Sequence, residues 1–282
     1  MGDSQLNRAV VLALSEPESD PMVSKIPAFL HPVAGRPLIW HTITALLTGD
    51  RPVREVMVLT PPDFPPEILG DLGSQVDVRI FDSDAPGKGV TGHGDEAVLL
   101  VQGSASIDRE SLGRLLSVEV GGWIGGSEGE AAAAILTTEQ VLGILQTSAP
   151  FAVPNGFLSP LRRVEATEST FVVRNRHDLA RLQGRVRDQL VRALLDAGAT
   201  FLLPESVLVD VGVRVGRDTI IYPGVILEGS TTVGEESVIG PGCRIIDSWV
   251  GSGVELRGWN YIANSSVRNR AILEPYVRRG FD

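Results

Sequence analysis

From Val209 onward an aliphatic residue returns every six positions: Val209, Val215, Ile221, Leu227, Val233 and Ile239. After a slip of one residue the rhythm resumes at Val250, Leu256, Ile262, Val267 and Leu273. An alternating strand repeats every two residues and a helix every ~3.6, so neither generates this spacing. A solenoid does. Each hexapeptide makes a short flat strand and a corner, and three complete a triangular coil of a parallel β-helix. The leading aliphatic then faces the interior. The residue four places on is small or β-branched (Thr219, Val225, Thr231, Ser237, Cys243), and Gly, Asp and Glu gather at the corners.

The first half carries a different pattern. Residues 9–14 are a continuous apolar run of the kind found in buried parallel strands. A polar, Pro-rich loop and a helix over 37–47 follow. Residues 55–60, 76–81 and 97–101 read as further buried strands, and 108–116 as a short helix. Strands alternating with helices predict an open α/β sheet. Residues 121–126, with four glycines, read as a loop, 138–145 as a helix and 149–160 as irregular. Asn175 or Asp178 caps a helix running to about Ala197. Leu179, Leu182, Val186, Leu190, Leu194 and Leu195 give it an apolar stripe suited to packing on the sheet domain, and Gly198 stops it. The boundaries expected are 1–175 for the α/β domain, 176–204 for the connector helix and linker, and 205–282 for a β-helix of about four coils.

Bulk properties narrow the function. A chain of 282 residues, 43% hydrophobic, holds two modest domains with real cores. A net charge of −10 argues against a nucleic-acid surface, which relies on Lys and Arg. Cys243 is the only cysteine, so no internal disulfide forms, and its inward slot makes it a packing residue. The N-terminal residues have no apolar signal core and no stretch reaches membrane-spanning length, so a cytoplasmic location is expected.

An α/β domain, a connector helix and a hexapeptide prism, in that order, resemble the bifunctional N-acetylglucosamine-1-phosphate uridyltransferase/glucosamine-1-phosphate acetyltransferase family. These are sugar-1-phosphate nucleotidyltransferases with a left-handed β-helix. Met22, Ser24, Pro27, Leu30, His31, Ala34, Gly35 and Pro37 fall where that family has them. The segment from Val172 to Gln183 is similar to the one that opens the family's connector helix, and 208–234 to its first coils. The resemblance covers 9–60, about 89–116 and 171–282.

What the resemblance implies chemically is not matched by the residues. The family's glycine-rich nucleotide loop, with its arginine, falls on Pro17, Ser19, Asp20 and Pro21, and its later lysine on Ala28. Glu16, Glu18 and Asp20 add negative charge where phosphate should sit, and each proline removes a backbone donor. The metal-binding aspartate corresponds to Ser104 and the metal-binding asparagine to Arg174. Mg²⁺ takes carboxylate and neutral oxygen ligands, and a serine with a cation does not replace an aspartate with an asparagine. Thr91, Gly92 and His93 resemble the family's base-binding turn, a vestigial nucleotide contact. The stretch between Gly103 and Phe171 is shorter than the family's sugar-binding half.

An acyltransferase on such a prism generally uses a histidine as base. His31, His41, His93 and His177 all precede it. Arg278 and Arg279 read as a solvated terminus.

Two functions therefore stand. One is a catalytically silent relative with no cofactor, assembling as a homotrimer through the β-helix, with Leu273, Tyr276 and Phe281 offering a protein contact at the last coil. The other is a working nucleotidyltransferase using Mg²⁺ in a rebuilt site among Glu16, Glu18, Asp20, Asp82, Asp84 and Asp95. Neither calls for nucleic acid or membrane.

Overall fold

The computed structural model describes residues 6–14, 22–86, 90, 94–118, 121–126, 129–147 and 152–280. The chain forms two compact units, the first from residues 1–31 and 37–180, the second from 32–36 and 181–282. Among the described residues no helix is long and apolar enough to cross a membrane.

In chain order the elements are β1 (Arg8–Leu12), β2 (Pro32–Val33), β3 (Arg36–Pro37), α1 (Leu38–Thr48), β4 (Glu55–Thr60), β5 (Asp77–Ile80), β6 (Ala97–Gln102), β7 (Ala105–Ser106) and α2 (Arg109–Leu116). Then come β8 (Gly122–Gly125), β9 (Ala131–Thr137), α3 (Thr138–Leu145), α4 (Asn155–Leu158), β10 (Arg162–Arg163), β11 (Phe171–Val172) and α5 (Arg176–Asp196).

The first unit is built on a seven-stranded sheet in the order β10-β8-β9-β6-β1-β4-β5. β1 lies parallel to both β4 and β6, and β9 runs antiparallel to β6 and β8. The apolar runs of β1 and β6 explain their central places: Val10, Val11, Leu99 and Leu100 are fully buried. β5 departs from the expected buried strand. It sits at the sheet edge, its side chains half-buried or exposed, with Ile80 62% exposed. Residues 121–126 also depart from expectation, because Gly122–Gly125 is a buried strand. There the glycines are a matter of clearance: a Cβ on Gly125 would collide with Glu130 O, at a shift in the β8–β9 register. β9 gave no strand signal because its four alanines have no β-branched character, yet all are buried.

The second unit is the expected prism, a left-handed parallel β-helix whose three walls hold five, five and four short strands. The leading aliphatics are inside, with Ile221, Leu227, Ile239, Val250, Leu256 and Ile262 at 0% exposure. So are Thr219, Val225, Thr231, Ser237 and Cys243. Ile245, six positions after Ile239, also faces inward, and the shortfall falls between it and Val250. Register shows how the rhythm slips. Val209 pairs with Leu227 and Val215 with Val233, eighteen residues on, whereas Val233 pairs with Val250 and Val250 with Val267, seventeen on. The missing residue is lost at the same corner each time, where Asp247 and Asn264 turn with φ of 43° and 44°.

Buried hydroxyls run along the corners as rails. Thr219 Oγ1 accepts from Ser237 N, whose own Oγ accepts from Val254 N, both at 3.1 Å. Thr231 Oγ1 and Ser248 Oγ accept from Ser248 N and Ser265 N at 3.4 and 3.0 Å. These four N–H groups are thus each met by the hydroxyl of the preceding coil.

The β2–β3 hairpin joins this unit: Val211 N donates to Ala34 O at 3.1 Å, and Ala34 N to Gln183 Oε1 at 3.1 Å. The later part of the α5 stripe packs on the prism. Val191 is buried in the prism core with Leu194 against it, while Leu195 is 40% exposed. Gly198, at φ 102°, ends the helix.

Candidate functional site

In an open α/β sheet, ligands bind at the carboxyl ends of the strands where strand order reverses. Here the chain runs from β1 outward through β4 and β5, then returns to β6 on the other side of β1. The reversal lies between β1 and β6, where Leu12 pairs with Gln102. Gly103 N donates to Leu12 O at 2.9 Å, and a Cβ on Gly103 would sit 2.8 Å from that oxygen. Only glycine lets the two strands leave the sheet so closely.

Just beyond, β7 pairs antiparallel with β11, and Val173 N donates to Ser104 O at 2.9 Å. Ser104 thus stands opposite Val173, and Arg174, distant in sequence, follows at the next position, where the resemblance implies a metal pair. Arg174 is enclosed by acids. Its Nε, buried from solvent, lies 3.7 Å from Glu130 Oε2 and 3.7 Å from Asp178 Oδ2, and its backbone N donates to Asp178 Oδ2 at 3.1 Å. Gln102, 4% exposed at the end of β6, donates to Glu130 Oε1 at 3.3 Å and to Ala131 O at 2.8 Å.

α5 begins at this edge because Asn175 Oδ1 accepts from His177 N and Asp178 N at 2.9 and 3.0 Å, an N-cap. Arg176 Nε donates to Met22 O at 3.1 Å, and its Nη1 lies 3.5 Å from Nδ1 of the buried His31. These contacts give Met22 and His31 structural work. Gln102 and Glu130 were not singled out from sequence, although a glutamine closing an apolar central strand is the signal that could have found Gln102.

The donor set does not fit a divalent ion. Ser104 offers a hydroxyl, and Arg174 brings a positive charge into the place a metal would take. Among the described residues no group of three or more His, Cys, Asp or Glu could hold one. Asp82, Asp84 and Asp95 are exposed, and Asp82 Oδ1 accepts from Asp84 N at 3.0 Å in a local turn. The candidate turn Thr91, Gly92 and His93, and the loop carrying Glu16, Pro17, Glu18, Ser19, Asp20 and Pro21, lie outside the described residues.

A separate open groove of about 720 Å³ runs along the edge strand β10, lined by Arg114, Arg162, Arg163 and Glu165 among others. Arg114 is held by Glu110 at 2.6 Å, and Arg163 lies over the Trp123 ring. No residue expected from sequence to be functional lines it.

Asp108 caps α2. It accepts from Ser111 N, Ser111 Oγ, Thr167 Oγ1 and Thr170 Oγ1 at 3.0, 2.8, 2.6 and 2.7 Å. Burial alone would raise its pKa, but these hydrogen bonds outweigh burial and bring it down to about 2.

At the last coil the expectations divide. Leu273 is buried inside the prism and unavailable for a partner, Tyr276 is 72% exposed, and Phe281 lies outside the described residues. Arg278 lies over the Tyr261 ring, which Arg244 also approaches. Burial raises the pKa of the Cys243 thiol, in keeping with a packing role.

Comparison with known proteins bears on the prism. The bacterial transferase hexapeptide model (six repeats) matches residues 212–247. That match ends at Asp247, where the eighteen-residue coils give way to shorter ones. The bifunctional protein GlmU of Alkaliphilus oremlandii is 36% identical over 122 residues, 43% of this chain and 27% of that protein. GlmU of Koribacter versatilis is 36% identical over 143 residues, 50% of this chain and 30% of that one. The chain thus matches less than a third of each relative's length. Among solved structures, a 4-diphosphocytidyl-2C-methyl-D-erythritol synthase aligns with a TM-score of 0.47 at 12% identity, covering 64% of this chain and 98% of that one. A putative glucose-1-phosphate thymidylyltransferase from Bacillus anthracis aligns with a TM-score of 0.44 at 14% identity, covering 64% and 95%.

Proposed function

From the premise that its hexapeptide half is that of a GlmU-like family member, we propose that this chain is a catalytically silent relative. In this reading the α/β unit is retained as a scaffold and the prism assembles subunits. The observation that carries it is that Arg174, next to the Val173 that bonds Ser104 O, already lies 3.7 Å from both Glu130 and Asp178. Phosphoryl transfer depends on a divalent ion to neutralise charge developing on phosphate oxygens. A hydroxyl and a guanidinium offer no ligand set for that ion. Prolines and carboxylates at 16–21 point the same way, since they remove donors and add repulsion where a triphosphate would lie.

The role that remains is structural or regulatory, in the cytoplasm, as a homotrimer packed through the prism walls and beside an active enzyme of nucleotide-sugar synthesis. No Mg²⁺ or other cofactor takes part. Acetyl transfer is excluded from the reading because the prism segment contains no histidine to act as base.

The test is to incubate the full chain with UTP, Mg²⁺ and N-acetylglucosamine-1-phosphate and score pyrophosphate. No release above background is expected. Turnover would replace this reading with a working nucleotidyltransferase that has rebuilt its site. Sedimentation of the same chain examines the assembly part, which a monomer would overturn.

A further inference from the structure

We propose that Arg174 is the resident cation of the sheet's switch point: its guanidinium holds Glu130 and Asp178 together in the way a divalent ion would, and makes the first unit independent of metal. The inference rests on the metal-free reading of this site and adds what fills it. Two carboxylates arrive from separate elements, Glu130 from the approach to β9 and Asp178 from the first turn of α5. Both are substantially withdrawn from water, at 32% and 18% side-chain exposure. Like charges so placed repel unless a cation lies between them. Arg174 Nε stands 3.7 Å from each, with its own backbone N–H fixed on Asp178.

The surroundings hold the arrangement in register. Gln102 positions Glu130 from the end of β6, and the bond from Val173 N to Ser104 O fixes the residue before Arg174 against the chain leaving that strand. The carboxylates of Glu130 and Asp178 are oxygen donors of the hard kind that Mg²⁺ or Mn²⁺ takes. Removing the guanidinium leaves an acidic, oxygen-lined place with no counter-charge. A divalent ion then becomes the available replacement.

The experiment compares the full-length wild type with Arg174→Asn and Arg174→Lys by thermal unfolding in EDTA and in millimolar Mn²⁺, alongside calorimetric titration with Mn²⁺. Wild type and Arg174→Lys should show the same melting temperature in both buffers. Arg174→Asn should melt lower in EDTA, recover in Mn²⁺, and bind the ion at least about tenfold more tightly than wild type. Adding Glu130→Gln to Arg174→Asn should abolish that gain, which separates this site from general ion binding by an acidic chain. Arg174→Gln serves as the second variant should Arg174→Asn not fold. An Arg174→Asn or Arg174→Gln protein that responds to Mn²⁺ no more than wild type overturns the inference, as does Mn²⁺ stabilisation of wild type that Glu130→Gln removes. These outcomes are distinct from pyrophosphate release by the wild type, which bears on the proposed function alone.

Discussion

Asp108 in the first unit and Asp210 in the second are both carboxylates drawn partly out of water, and their surroundings push them in opposite directions. Asp108 sits where α2 begins and a loop returns, so three hydroxyls and an amide converge on it and its pKa falls to about 2. Asp210 lies on a prism corner. Burial raises its pKa, the single N–H of Gly229 lowers it, Glu228 and Asp247 raise it further, and Arg36 lowers it. The repeat that brings strands into register also stacks the acids of successive coils. An irregular fold can gather unlike partners around one group, whereas a regular one repeats what it has. Stability in the first unit therefore hangs on particular anchors, and in the prism on many small equal contributions.

That contrast can be broken at several points, from the largest effect down. Ile239→Asp places an unpaired charge in the prism interior, where the native side chain is 0% exposed. A loss of more than about 4 kcal/mol is expected, read as collapse of the denaturant midpoint. Gly125→Val drives a side chain into Glu130 O and should cost about 3 kcal/mol in the same titration, with the β8–β9 amides losing hydrogen-exchange protection.

Asp108→Ala should cost about 2 kcal/mol by stranding three hydroxyls and an N-terminal amide of α2. In the wild type Asp108 carries a pH signature of definite sign. Its folded pKa lies below the unfolded value near 3.8, so its contribution is complete above that value and is lost as pH falls from about 3.8 to 2. Partial exposure screens it to about 1 kcal/mol. An acid titration of Asp108→Asn should lack that component.

Ser237→Ala removes one member of a rail and strands Val254 N, for about 1 kcal/mol. A cost as large as that of Asp108→Ala would mean the rails act as a single unit instead of as separate bonds. Last, Asp210→Asn keeps an acceptor for Gly229 N while removing a charge beside Glu228 and Asp247. Thermal melts should show it equal to wild type or up to about 1 kcal/mol more stable at neutral pH, the advantage vanishing in acid as the native carboxylate takes up its proton.

The prism was legible because its signal repeats: the interior of each coil states the same requirement, and Val209 through Ile239 state it without interruption. The central strands β1 and β6 were readable for a related reason, being apolar on both faces. What escaped were elements set by clearance and by neighbours. β8 was hidden because its glycines answer to the approach of Glu130 O and to Leu115 and Val118, which lie on neighbouring segments and not in the strand itself. β9 was hidden because alanine carries no strand preference. The site was half legible. Ser104 and Arg174 could be placed by resemblance and Gln102 closes an apolar strand, but Glu130 joins them only through sheet pairing, which no local pattern encodes.

The corner at Asp247 and Asn264 has a practical consequence. Since eighteen- and seventeen-residue turns stack on one another there with both other walls still paired, that vertex tolerates a change of chain length that a wall would not. A foreign peptide grafted between Asp247 and Ser248 would leave the hydroxyl rail at Ser248 and the inward Ile245 and Val250 where they are, making this the natural place to open the prism to new cargo.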